Sequence, residues 1–428
     1  MAYAEKVFKV KNGKKTKQYT WRSKFLLPDG INYGSASGFA TEKTAKEYGQ
    51  EQEAAIRAGR WVDPKLSSKH FGIFAMEFMK ARPKRGQTVD TRWKQLTGHI
   101  FPRWQYVPLR DINWFAVDSW QLNDLQVDDV TKGHVVSLMS TILTAAVDAR
   151  HLLVNPLMGR RRTKPVMVLG AVPKRVDEAK WHPPAAVIKT AERLGFADGF
   201  QLLSAAFTGV NWGEGQGLER AHILERRQLD DDGTVWSCPI LRVVQEVAEY
   251  EQRGPGGEKL GTVLALEPLK NEHRIRDVDL PPFLAELWYH RAKVWPHEHL
   301  LSTESGSWWR RGNWGKTLRP AADGRPARER RQGVSARDAW DPLAPGLTMR
   351  GARHTHDTLQ EQIMVATSLA YEQAGHKPSG IKGVYQHPTV RMRRHRLDGL
   401  QEVFVRAMLG LGKTTLWGRS VNLELPQK

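Results

Sequence analysis

The sequence predicts a multidomain α+β fold: an N-terminal three-stranded β-sheet plus helix, then an all-α domain, then a larger, mainly α domain with a small β-sheet. Three observations predict it. The chain has 428 residues, more than the roughly 100–200 of one domain, so about two to four cores are expected. Near the start, short apolar runs alternate with turn dipeptides, which is a strand pattern. Beyond residue 65 helical spacing takes over, broken by a basic, proline-containing stretch at 159–175 and by a few strand-like runs after it.

The elements follow in order. Residues 7–10, 19–27 and 31–39, joined at Asn12-Gly13 and Asp29-Gly30, read as a three-stranded meander. Thr41 can cap the next stretch, from Glu42 to about Ala58, which is rich in good helix formers and interrupted only by Gly49. Trp61-Val62-Asp63-Pro64 closes this first domain, 1–64. Residues 65–158 read as helical and end in a run where Val136, Met139, Leu143, Ala146 and Val147 recur at helical spacing, stopped by Pro156. A linker at 159–175 leads to a mixed domain at 176–410. Helices are expected near 183–194 and from Gln201, strands near 235–244, 262–266 and 274–280, and helices again to about Met408. A tail, 411–428, ends the chain. Arg253-Gly254-Pro255-Gly256-Gly257 reads as a hairpin tip, and 325–346 as a long arginine-rich insert, either functional or disordered.

Lys and Arg number 65 against 46 Asp and Glu, a formal charge of +19. Such an excess favours a polyanionic partner through phosphate neutralisation and counterion release, with nucleic acid the first candidate. Lys14, Lys15, Arg22 and Lys24 on the meander and Arg160, Arg161 and Arg162 on the linker are the candidate backbone contacts; a merely solvated charged face is the competing reading. No stretch approaches the ~18 apolar residues of a membrane span, and the N-terminus lacks the apolar run of a signal peptide. A cytoplasmic protein is therefore expected. Cys238 is the lone cysteine, which rules out an internal disulfide or a multi-cysteine zinc site and leaves a buried, inert thiol. His354, His356, His376 and His387 match no zinc spacing.

Five local matches then give a resemblance. Asn155-Pro156 ends the helical domain; Phe207-Thr208-Gly209-Val210-Asn211-Trp212-Gly213-Glu214 follows; Pro268-Leu269-Lys270 precedes Val278-Asp279-Leu280-Pro281; Leu347-Thr348-Met349-Arg350-Gly351-Ala352-Arg353-His354-Thr355-His356 comes next; Gly375-His376 and Tyr385 come last. In this order, after a meander and a helical domain, they resemble the tyrosine recombinases, or phage integrases. The resemblance implies an arm-binding domain at 1–64, a core-binding domain at 65–158 and a catalytic domain at 176–410. It also implies Tyr385 as the nucleophile that holds a cleaved strand as a 3′-phosphotyrosine, with no cofactor. Arg353 and His376 would bind non-bridging phosphate oxygens, and Lys270, at a hairpin tip, would protonate the departing 5′ oxygen.

The implied partners are double-stranded DNA attachment sites, further copies of the chain as a dimer to tetramer on DNA, and an accessory DNA-bending or directionality protein. The tail helix, with Val403, Phe404, Met408, Leu409 and Leu411, would dock on a neighbouring protomer, although an intramolecular helix explains the same residues. The arginine run at 391–396 reads equally as a DNA contact and as a solvated helix face. A bacterial or phage-encoded protein acting on chromosomal DNA is the setting.

Two positions depart from the pattern. Asn211 stands where the family places an arginine, and Arg350 where it places a histidine. A neutral amide cannot form the charged fork of a guanidinium. Two outcomes stay open: an active site-specific recombinase, in which Arg350 takes over the vacated oxygen-binding place, or a catalytically impaired, integrase-like DNA-binding protein. On this reading Glu214 has also lost its usual ion-pair partner.

Overall fold

The structure, a computed structural model, describes residues 1–11, 14–81, 84–164, 181–376 and 387–426, without the side chains of 11, 14 and 15. Two compact units are present: Met1–Leu169 with Arg253–Leu260, and Gly170–Gln252 with Gly261–Lys428.

In the first unit β1 (Tyr3–Lys11), β2 (Lys14–Leu26) and β3 (Tyr33–Phe39) form an antiparallel sheet in that order. Helix α1 (Glu42–Arg57) begins where the Thr41 hydroxyl accepts the Thr44 N–H at 3.2 Å. Gly49, a poor helix former, sits where α1 meets the sheet: a Cβ there would lie 2.7 Å from both Ala2 Cβ and Ser23 Oγ. Next come α2 (Pro64–Ser67), α3 (Phe71–Ala81), α4 (Gly86–Gln95), α5 (Phe101–Trp104), α6 (Trp114–Asn123) and α7 (Asp129–Asp148). Their shared core holds Phe71, Leu96, Ile100, Trp104 and Ile142. By length and composition alone α7 could cross a membrane, contrary to the expectation that no stretch comes near it, yet half of its apolar window is buried in this core. Asn155 Nδ2 donates to Ser140 O at 3.0 Å and to Thr144 Oγ1 at 2.9 Å, fastening the turn beyond α7.

The second unit starts with α8 (Pro184–Thr208), in which Gly195 at φ 79° interrupts the helix and separates the two helical stretches expected there. Helix α9 (Trp212–Gln216) follows. Strands β4 (Ile223–Leu229), β5 (Val235–Val243) and β8 (Arg276–Asp279) form one sheet in the order β4-β5-β8, and β6 (Gln245–Arg253) pairs with β7 (Lys259–Pro268) as a hairpin. β4 and β6 escaped the sequence reading because charged and polar residues interrupt both, which leaves little apolar alternation to detect. Helices α10 (Pro282–Val294), α11 (Arg311–Asp323), α12 (Met349–Gln362), α13 (Thr367–Ala374) and α14 (Val390–Gly410) complete the unit with the small strands β9 (Thr415–Leu416) and β10 (Arg419–Ser420). Phe200, Phe207, Trp288, Phe283 and Phe404 centre the core, the last two stacked at 3.7 Å.

Three readings that the sequence left open are narrowed here. Phe404 and Met408 are fully buried in this chain's own core with Val403 and Leu411 packed against it, which favours the intramolecular helix for these four, while Leu409 stays exposed. The insert at 325–346 is not structureless: backbone bridges pair Arg325 with Trp340, Arg328 with Arg337 and Arg331 with Val334, making a narrow two-stranded ribbon. Within the 391–396 run Arg393 and Arg396 are buried, whereas Arg391, Arg394 and His395 are exposed. Arg393 donates to Asp279 Oδ2 at 2.8 Å and Arg396 to the Asp279 carbonyl at 3.0 Å, both inside the unit.

Candidate functional site

The site forms where α8 ends. Gly209 terminates that helix in the left-handed region at φ 69°, and a Cβ there would meet His356 Cδ2 at 2.5 Å. Only glycine satisfies both conditions. His356 is fully buried on α12, where burial and the charges of Arg396 and Arg353 hold its pKa well below the usual histidine value. One turn before it on α12, Arg353 donates to the Gly209 carbonyl and, at 3.0 Å, to the Ala374 carbonyl. Two carbonyls exposed by helix ends thus aim one guanidinium.

His376 follows the left-handed cap Gly375 (φ 66°) at the end of α13, and its Nε2 lies 3.3 Å from Arg353 Nη2. Because arginine only donates, this contact makes Nε2 the acceptor and leaves the ring proton on Nδ1. Partial burial, and then the Arg353 charge, lower the His376 pKa, which favours the neutral ring.

Asn211 is engaged within the fold. Its backbone N–H donates to Glu214 Oε2 at 2.9 Å and its side-chain amide to Oε1 at 3.0 Å, locking the start of α9. Glu214 is buried, and its ion pair is not lost: Arg276 Nη2 donates to Oε2 at 2.9 Å, and Arg274 Nη1 stands 3.6 Å from Oε1. Burial raises the Glu214 pKa, but the Arg276 charge and the hydrogen bonds from Arg276 and Asn211 outweigh it, so the carboxyl sits below its ordinary value. Arg274 and Arg276 belong to the site and were missed by the sequence reading. Their signal was present, a second and third cation just after Lys270, but it was absorbed into a strand assignment.

Lys270 lies exposed in the bend after β7, before β8, and not at a hairpin tip as expected. The tip of the β6–β7 hairpin is at 254–258, as the glycine-rich run suggested. Arg350 is exposed in the first turn of α12, and Arg274, not Arg350, flanks the Asn211–Glu214 pair. Tyr385 lies outside the described residues.

The DNA-contact candidates separate. Arg22 is held across the sheet by Ser37 Oγ at 2.8 Å and Glu5 at 3.2 Å. Arg162 folds back, donating to Gln121 Oε1 at 3.3 Å and Asp129 O at 3.2 Å, whereas Arg160 and Arg161 are exposed and Lys24 is half-buried. For Lys14 and Lys15 only the backbone is described. Cys238 is buried and its thiol pKa is pushed up to about 12, first by burial and then by Asp279, as expected of an inert thiol.

No family model matches the chain. It is 24% identical over 273 residues to a protein named as the integrase of prophage phiRv2 in Mycobacterium tuberculosis, in strains CDC 1551 / Oshkosh and ATCC 25618 / H37Rv. That match takes in 62% of this chain and 64% of the relative, so the chain spans a little under two thirds of the relative's length. Among solved structures it is similar to the Tn1549 transposon integrase in complex with transposon right end DNA, at 13% identity and a TM-score of 0.48, covering 77% of this chain and 99% of that one. It is also similar to a lambda integrase dimer bound to a COC′ core site, at 13% identity and a TM-score of 0.44, covering 88% and 92%. The prophage relative agrees with the resemblance to phage integrases that the motifs gave.

Proposed function

We propose that this chain is a site-specific DNA recombinase of the tyrosine recombinase kind, an integrase that cleaves and rejoins DNA through a 3′-phosphotyrosine intermediate. The observation that carries this reading is the convergence of Arg353 and His376, from two separate motifs, on one set of helix ends beside Glu214. In the proposed reaction the Tyr385 phenolate attacks the scissile phosphorus, the bond to the 5′ oxygen breaks, and Lys270 supplies that oxygen with a proton. The 5′ hydroxyl of a partner strand then attacks the phosphotyrosine, gives its proton back to the Lys270 amine, and the phenolate leaves. Arg353 donates to a non-bridging oxygen as its charge grows, and His376, neutral with its proton on Nδ1, donates to another. Arg350 would bind the backbone beside the cleavage point.

The domain roles are part of the same proposal: arm-type DNA binding by 1–64, core-site binding by 65–158 and catalysis by 176–410. The linker at 159–175, through Arg160 and Arg161, would lie along the phosphate backbone, and the tail at 411–428 would close the catalytic domain. Double-stranded attachment sites are the substrate, bound by two to four copies with an accessory DNA-bending protein, in the cytoplasm on chromosomal DNA.

One observation favours a second reading, an integrase-like DNA-binding protein without strand cleavage. The Asn211 amide is committed to Glu214 and offers the phosphate no charge.

The test uses nicked duplexes tiling the DNA that flanks the coding region, incubated with the full chain and resolved on denaturing gels. A covalent protein–DNA adduct that disappears in Tyr385→Phe is expected. Duplexes that are bound but never trapped by any amount of protein would replace the first reading with the second.

A further inference from the structure

Arg274 and Arg276 sit on the same carboxylate but are not equivalent. The Arg276 side chain is 2% exposed and its donors are used: Nε to the Gln373 carbonyl at 2.7 Å, Nη1 to the Arg274 carbonyl at 3.0 Å and Nη2 to Glu214 at 2.9 Å. It is a strut. Arg274 is 33% exposed and stands off Glu214 Oε1 at 3.6 Å, too far for a hydrogen bond; its guanidinium has no hydrogen-bond partner among the described residues. Its Cα would lie 3.3 Å from a Cβ on Gly375, which places its backbone beside the residue that carries His376. Glu214 is therefore a shared post: the Asn211 amide and Arg274 both lie at Oε1, while the Asn211 backbone N–H and Arg276 hold Oε2.

Resting on the recombinase reading above, we propose that Arg274 is the phosphate-binding arginine that makes up for Asn211, donating to a non-bridging oxygen of the scissile phosphate opposite Arg353 and His376. The amide at 211 is spent within the fold, so the usual source of positive charge is absent. A guanidinium with five donors and only a loose ion pair retains the capacity to grip a phosphate. Cations from β8's approach (Arg274) and from α12 (Arg353) lie around one carboxylate end and one imidazole, and each lowers the His376 pKa. Arg274, Arg276 and Arg353 gather beside Glu214, with Asp357 the further acid acting on Arg353 and His376, and such a group of like charges is stabilised by an added anion. Arg274 forms and breaks no covalent bond in this scheme; it offsets charge on the five-coordinate phosphorus while Tyr385 and Lys270 carry the transfer.

The experiment compares adduct formation by wild type, Arg274→Ala and Arg274→Lys on the nicked duplex that traps the wild type, with non-covalent binding followed by gel shift. Arg274→Ala is expected to bind the duplex as wild type does and to form adduct roughly 10²–10³-fold more slowly, as when one transition-state donor is removed. Arg274→Lys should recover part of that loss. A duplex with a neutral methylphosphonate at the scissile position supplies a readout that a merely structural role would not move. There, with the oxygen charge gone, the two proteins should come within about threefold of each other, because the arginine no longer has charge to offset. If Arg274→Ala traps the ordinary duplex as fast as wild type, or if its deficit persists undiminished on the methylphosphonate, Arg274 does not serve the phosphate, and the recombinase reading stands without it. If wild type itself forms no Tyr385-dependent adduct, both fail together.

Discussion

Two arginine–carboxylate clusters in the second unit look alike in composition and differ in what they leave over. Around Asp279, Arg226 Nε donates at 2.7 Å and Arg393 Nη1 at 2.8 Å, and Gln373 adds a side-chain amide at 3.2 Å. Arg396, fully buried behind them with its pKa lowered to about 10 by burial, donates to the Asp279 carbonyl. Arg393 and Arg396 are enclosed there, Glu372 shares Arg393 with Asp279, and each of the three guanidiniums has a hydrogen-bond partner. Around Glu214, Arg276 is just as tightly held, but Arg274 remains at 3.6 Å with a third of its side chain exposed, beside Arg353 and His376. Counting charges does not separate a structural cluster from a site; the donors left unsatisfied do. A closed cluster can only stabilise, whereas an open one retains free energy for a ligand.

Substitutions can break or sharpen that contrast. The largest effect is expected at the open cluster and in activity: Arg353→Ala should slow single-turnover adduct formation by roughly 10³–10⁵, about 4–7 kcal/mol, as for other positioned arginines in phosphoryl transfer. An adduct rate within tenfold of wild type would show that the guanidinium serves only the two carbonyls it holds. At the closed cluster the effect should fall on stability. Asp279→Ala strands buried cations and should cost about 3–5 kcal/mol in chemical denaturation, against under about 1 kcal/mol for Arg274→Ala at its loose, partly exposed pair. Equal losses at the two positions would erase the distinction drawn here.

Gly209→Ala tests the hinge between backbone and site. A side chain in the left-handed region that must also displace His356 should cost about 1–3 kcal/mol, seen as a lower denaturation midpoint. The smallest effect concerns pH. The Glu214 carboxyl is held below its ordinary value of 4.5, so its contribution is complete above that pH and is lost as pH falls through the lower folded value. The stability difference between wild type and Glu214→Gln should therefore be greatest above pH 4.5 and shrink in acid. A difference that grows on acidification would mean that the carboxyl is destabilised by its burial.

Much of the fold was legible from local signals. The turn dipeptides and the Thr41 cap announce the meander and α1, and the apolar spacing after Thr131 marks α7. β4 and β6 were not legible, because their polar residues interrupt the alternation and their strand state comes from pairing partners distant in sequence or across a turn. At the site, Arg353 and His376 could be named from motifs, but Arg274 and Arg276 could not, since each is one basic residue in a strongly basic chain until Glu214 is brought beside it.

By itself the sequence determined the order of β-rich, helical and mixed regions, the turns of the meander and the absence of an arginine at 211. These follow from period, turn chemistry and residue identity, which are local properties. Only the tertiary structure decided which cations are enclosed and which stay open. It turned Arg393 and Arg396 of the 391–396 run inward onto Asp279, seated the C-terminal helix in the chain's own core, and brought Arg274 and Asn211 to one carboxylate oxygen of Glu214. The physical reason is that the energy of a charge depends on its burial and on every neighbour within a few ångströms, and folding assigns those neighbours from positions far apart in the chain.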